Sequence, residues 1–118
     1  TYGGSLPRAL EAAGALAAEG IEAEVVDLRV LRPLDMATVL ASVGRTRRVL
    51  VVEEAWRSGG LAGEVLARVA EEAFFELDAA PARVCGAEVP MPYAKHLEEA
   101  AMPMPARIVA AARALMGP

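Results

Sequence analysis

The stretch Arg48–Phe75, RVLVVEEAWRSGGLAGEVLARVAEEAFF, limits the fold of this chain more than any other. Val49 to Val52 make a short apolar run rich in β-branched residues, which suits a strand buried on both faces of a parallel sheet. Charge begins only at its carboxyl end, with Glu53 and Glu54, and Gly59-Gly60 then permit a tight turn. Beyond the turn, Leu61, Val65, Leu66, Val69 and Ala73 recur at helical spacing, with Glu64, Arg68 and Glu72 opposite them. Strand, turn and amphipathic helix are half of a β-α-β unit.

The flanks extend that alternation. Thr1-Tyr2-Gly3 read as the end of a clipped first strand, so the chain is expected to be a piece of a longer polypeptide. Ser5 is placed to cap a helix with Pro7 in its first turn and Leu6, Leu10, Ala13 and Ala17 on its apolar side, and Gly20 is the expected stop. Ala23–Leu28 reads as a strand. Asp35 sits where an N-cap belongs before a helix Met36–Val43, with Gly44 ending it. After a break at Ala79-Ala80-Pro81, Arg83-Val84-Cys85 offer a last short strand. Pro90, Pro92, Pro103 and Pro105 then punctuate an irregular segment with one short helix near Ala94–Ala100, and a final helix starts near Pro105 with Ile108, Ala112 and Leu115 inward. Alternating strands and helices predict an α/β domain over residues 1–118, its mostly parallel sheet covered on both faces.

Composition narrows the class of function. Apolar residues make up 55% of the 118, yet no run approaches the ~20 apolar residues of a membrane span. Cys85 is the single cysteine, so no intrachain disulfide can form, and its apolar neighbours predict a buried, inert thiol. A net charge of −4 with only 4% aromatic residues speaks against nucleic acid and for a basic partner, if charge recruits one.

The candidate chemistry is sparse. Gly59-Gly60 between strand and helix could hold a phosphate on backbone N–H groups, but the turn lacks the G-x-G-x-x-G spacing and any P-loop Lys, and Glu53-Glu54 bring negative charge beside it. A plain turn is the expectation. Glu53 and Glu54 lie at the carboxyl end of a parallel strand, where α/β folds place ligands, but adjacent strand residues point to opposite faces and cannot share one site. One is expected to make a polar packing contact and the other to be a solvated charge. His96, between Lys95 and Leu97, reads as a surface residue; one His and one Cys make no metal cluster, and no nucleophile elbow is present. Trp56 is either a core plug or an anchor at a subunit interface. The residues alone carry no catalytic apparatus.

Three segments together resemble one family. They are Val26-Asp27-Leu28-Arg29 with Arg32-Pro33-Leu34-Asp35; Val51-Val52-Glu53-Glu54-Ala55-Trp56 with Gly59-Gly60; and Val84-Cys85-Gly86-Ala87-Glu88-Val89-Pro90-Met91-Pro92-Tyr93-Ala94-Lys95-His96-Leu97-Glu98. In order and at matching spacing, they are similar to the carboxyl-terminal domain of the β subunit of a 2-oxoacid dehydrogenase E1 component, and the Val-Pro-Met-Pro-Tyr-Ala-Lys string most resembles the pyruvate type. The resemblance implies a transketolase-type third domain, a five-stranded sheet with one antiparallel strand. It implies an α2β2 enzyme that decarboxylates pyruvate with thiamine diphosphate and Mg²⁺ and passes the acetyl group to lipoyl-E2, in the bacterial cytoplasm or the mitochondrial matrix. Cofactor and metal are expected outside this stretch, which alone is expected to be inactive.

Its implied work is assembly and docking. The partners are the E1 α subunit, a second β subunit and the basic peripheral subunit-binding domain of E2, with no nucleic acid and no membrane. Glu53, Trp56, Gly59 and Gly60 form the interface or structural motif. The family's docking aspartate matches Asp78 in Leu77-Asp78-Ala79, and its terminal carboxylate matches Pro118, although Gly117-Pro118 departs from the apolar terminal residue of the family. The same fold would also suit a branched-chain or acetoin dehydrogenase β subunit or a transketolase-like synthase. Different classes are a nucleotide- or phosphate-binding module on the Gly59-Gly60 turn, and a pure oligomerisation domain.

Overall fold

Val51 and Val52 are neighbours in sequence and belong to different cores, because successive residues of a strand face opposite ways. In the computed structural model, which describes residues 1–118, they lie in strand β1 (Leu50–Trp56), paired in parallel with β2 (Ala82–Gly86). The register sets Val51 beside Arg83 and Val52 beside Val84, then slips before Trp56 pairs with Gly86. On one face, Val51 and Cys85 pack against helices α2 (Met36–Thr46) and α3 (Leu61–Ala73) through Val39, Val43, Val65 and Val69. On the other, Val52 and Val84 pack against α1 (Ser5–Ala17) and α5 (Pro105–Met116) through Ala12, Leu16, Ile108 and Val109. Burying each of these valines contributes roughly 1.5–3 kcal/mol, so the strand pair is held from both sides. A short helix α4 (Lys95–Ala101) interrupts the proline-rich return to α5.

The alternation expected from sequence is an α/β fold with helices on both faces, and that architecture is present. Of the five strands implied, two form a ladder, in parallel, and no antiparallel strand joins them. Ala23–Leu28 does not join it. The segment faces β1 across a cavity of about 460 Å³ lined mainly by apolar residues, among them Val26, Leu28 and Val49. Thr1 bridges that gap: its backbone nitrogen donates to Val26 O at 3.0 Å, its carbonyl accepts from Leu28 N–H at 2.9 Å, and its hydroxyl donates to Val52 O at 2.8 Å. The backbone groups of Val26 and Leu28 therefore meet Thr1 rather than β1.

Local sequence signals set most element ends. Asp35 caps α2, accepting from Thr38 N–H at 3.0 Å and Thr38 Oγ1 at 2.7 Å, as expected. Gly44 does not end that helix, which runs to Thr46 and stops where Arg47 turns left-handed at φ 58°. Ser5 is not a cap: it is the first residue inside α1, with a buried hydroxyl that has no partner, and Gly4 precedes it. The buried side of α1 is Ser5, Ala9, Ala12 and Leu16, one position off the expected stripe, and Leu10 is exposed. Alanines on that side let α1 lie close to α5 and β1. The helix ends with Gly20 at φ 82°, Ile21 N–H reaching back to Leu16 O and Gly20 N–H to Ala17 O.

Candidate functional site

Glu53 is the one fully buried carboxylate, 0% exposed at the carboxyl end of β1. Its Oε2 accepts from the Tyr2 hydroxyl at 2.8 Å and from Ala62 N–H, in the first turn of α3, at 3.1 Å. The Cys85 thiol lies 3.8 Å from Oε1. The carboxylate thus ties the chain start, β1, β2 and the α3 amino terminus into one knot. Burial and then the bond to Glu53 push the Tyr2 phenol up to about 12, and burial, followed by the Glu53 charge, pushes the Cys85 thiol up. An inert Cys85 is the result.

Glu54 faces the other way, toward α1, where Arg8 pairs with it and also donates to Gly4 O at 3.1 Å. The two adjacent glutamates therefore serve opposite faces, as strand geometry demands, and no acid/base pair exists. Glu54 is a half-buried ion-pair partner rather than a solvated charge. Gly60 has no room for a side chain, since a Cβ there would lie 2.2 Å from Glu53 Oε1 and 2.5 Å from Trp56 O. Gly59 is needed for its backbone, at φ 76°. With Glu53 already on the α3 amino terminus, the turn offers a carboxylate where a phosphate would sit.

Trp56 is 50% exposed, which rules out a core plug. The Val89–Leu97 segment is also open, with Met91 and Leu97 about half exposed and Tyr93 wholly so. His96 is exposed, as expected. No group of three or more His, Cys, Asp and Glu is arranged to hold a metal ion, and no helix is long and apolar enough to cross a membrane.

Asp78 lies at the opposite, amino end of the strand pair, just before β2. Arg47 donates to it at 2.9 Å and Arg48 approaches at 3.9 Å, while Arg47 also reaches Glu76 at 3.5 Å. The Asp78 N–H donates to Arg47 O at 2.8 Å. Arg48 also donates from Nε to Leu115 O at 2.9 Å, in the last turn of α5. One arginine therefore holds together Asp78 and the helix end that leads to the exposed Pro118. Beside them project Phe74 and Phe75, in edge-to-face contact at 5.4 Å, with Phe75 93% exposed. The sequence points to Asp78 and Pro118, while Arg47 and Arg48 are signalled only by the Arg45-Thr46-Arg47-Arg48 cluster ahead of β1.

Residues 1–108 match the model of the transketolase C-terminal domain family. The chain belongs to that family. This transketolase C-terminal domain is 49% identical over 104 residues to the pyruvate dehydrogenase E1 component subunit beta of Dictyostelium discoideum, covering 88% of this chain. It is 51% identical over 116 residues to the acetoin:2,6-dichlorophenolindophenol oxidoreductase subunit beta of Cupriavidus necator, covering 98%. The chain spans 29% of the first relative and 34% of the second. Among solved structures, a split-gene transketolase described as an inactive beta4 tetramer superposes with a TM-score of 0.82 at 30% identity, over 98% of this chain and 37% of that one. The α/β fold is that of the family.

Proposed function

We propose that this domain is the carboxyl-terminal part of the β subunit of a 2-oxoacid dehydrogenase E1 component of the pyruvate type, and that its work is assembly and docking. Oxidative decarboxylation of pyruvate, with thiamine diphosphate and Mg²⁺, and acetyl transfer to lipoyl-E2 belong to the α2β2 enzyme as a whole, in the bacterial cytoplasm or mitochondrial matrix. The buried carboxylate here, Glu53, is spent on packing bonds. Half-exposed Trp56 is an anchor for a neighbouring subunit, either E1 α or the second β.

The observation that supports the docking role is Arg48, which approaches Asp78 at 3.9 Å and donates to Leu115 O in the last turn of α5, three residues before Pro118, while the exposed Phe74 and Phe75 lie a few residues before Asp78. A small basic domain such as the peripheral subunit-binding domain of E2 suits the Asp78 carboxylate and the exposed Phe74 and Phe75. Calorimetric titration of the α2β2 enzyme with that isolated domain tests it. Asp78→Ala is expected to weaken binding by about tenfold or more, and raised salt to weaken it further. Unchanged affinity would move the docking surface elsewhere. The acetoin-type relative, matched over nearly the whole chain, supports a second reading of the substrate, and substrate profiling of the same α2β2 protein separates the two.

A further inference from the structure

The chain has twelve Lys and Arg side chains, and all but four lie within 4.0 Å of a carboxylate. The four without one are Arg32, Arg57, Arg83 and Arg107, and the last three line a single cleft of about 500 Å³. In a chain of net charge −4, that concentration of unpaired cations is the outlier of its surface.

The three come from three elements. Arg57 follows β1, Arg83 lies in β2, and Arg107 is in the first turn of α5. Backbone carbonyls, rather than carboxylates, hold them. Arg83 Nη1 donates to Arg57 O at 2.9 Å, and Arg57 Nη1 to Arg83 O at 3.4 Å. Arg107 donates to Cys85 O at 3.1 Å and Met102 O at 2.9 Å. A guanidinium has five N–H donors, so each keeps at least three free. Glu88 is the one carboxylate in the cleft wall; Ser58 N–H donates to it at 2.7 Å, and hydrogen bonding from Ser58, followed by the charges of Arg57 and Arg83, holds its carboxyl below the usual range, so it competes with any anion there. The cleft lies at the carboxyl ends of two parallel strands, the place where open α/β sheets bind ligands.

We propose that Arg57, Arg83 and Arg107 form an anion site for a small phosphate-bearing ligand. Three guanidiniums from three elements suit a tetrahedral, multiply charged oxyanion with several acceptor oxygens; a planar carboxylate is satisfied by one fork. The site is separate from the Gly59-Gly60 turn, whose helix terminus Glu53 occupies, and separate from the Asp78 end of the molecule.

Titrating the 118-residue chain with inorganic diphosphate, and in parallel with succinate at matched ionic strength, tests this by amide and Arg Nε–H NMR shifts. Saturable shifts at Ser58 and Gly86 with diphosphate, and none with succinate, are expected. Arg57→Gln and Arg83→Gln should each weaken binding by about tenfold. Glu88→Gln should tighten it, and Arg32→Gln, outside the cleft, should leave it unchanged. Arg57 is exposed, so its variant keeps the fold even if that of Arg83 does not. Absence of saturation, equal binding of succinate, or indifference to Arg57→Gln would overturn the site.

Discussion

Glu53 shows how much one side chain can organise. It is buried without an ion-pair partner, and hydrogen bonds from Tyr2 and from the α3 amino terminus take the place of solvent. Glu53→Ala removes the acceptor, leaves both donors unsatisfied and opens a cavity, so it should lower stability by about 3 kcal/mol, read as a lower urea midpoint. Glu53→Gln keeps an acceptor and should cost less. Tyr2 reports on the same knot. Its phenol, raised from 10.0 to about 12, stays protonated in the folded state where the unfolded chain has lost the proton. That contribution is complete below about pH 10, where the unfolded phenol titrates, and disappears as pH rises toward the folded value. Ultraviolet titration should find one tyrosine ionising near pH 12, and the Glu53→Ala variant should bring it down.

At the scale of the element, the β1-turn-α3 unit depends on two glycines for different reasons. Gly59 supplies a positive φ in open space, so Gly59→Ala should cost about 1–2 kcal/mol of backbone strain. Gly60 sits against Glu53 and the Trp56 carbonyl, where an added methyl must displace backbone, and Gly60→Ala should cost more, roughly 3 kcal/mol. Thermal unfolding of the two variants side by side checks the order, and a larger loss at Gly59 would contradict the packing argument. This unit was legible because its strand is apolar on both faces and its helix strictly periodic. The buried side of α1 lies one position off the expected stripe because three of its four residues, Ser5, Ala9 and Ala12, are small; small side chains carry little periodic signal, and packing against α5 fixes which side is inside.

The whole molecule has charge arranged at its two ends. At the Asp78 end, Arg47 already occupies the aspartate, so the proposed docking of a basic domain requires its displacement. Arg47→Ala should therefore tighten binding of a basic docking domain while Asp78→Ala weakens it, two calorimetric titrations with opposite signs. Equal weakening by both would show that Arg47 itself meets the partner. At the other end, the cleft of Arg57, Arg83 and Arg107 is positive on a molecule that is negative overall, so the two proposals place partners of opposite charge at different ends.

The sequence by itself determined the elements whose cause is local: the apolar run of β1, the glycine turn, the periodic α3, the Asp35 cap and Pro105 at the start of α5. It also determined that Glu53 and Glu54 must part, since the pleat sends neighbours to opposite faces. Only the tertiary structure decided what depends on distant chain. Ala23–Leu28 has the composition of a strand but stays outside the β1-β2 ladder, its backbone meeting Thr1 instead. Whether Trp56 is covered also depends on distant chain, and it stays half exposed. Which arginines find carboxylates, and which three gather unpaired in one cleft, depends on side chains up to 94 residues apart meeting in space, and no local pattern encodes such encounters.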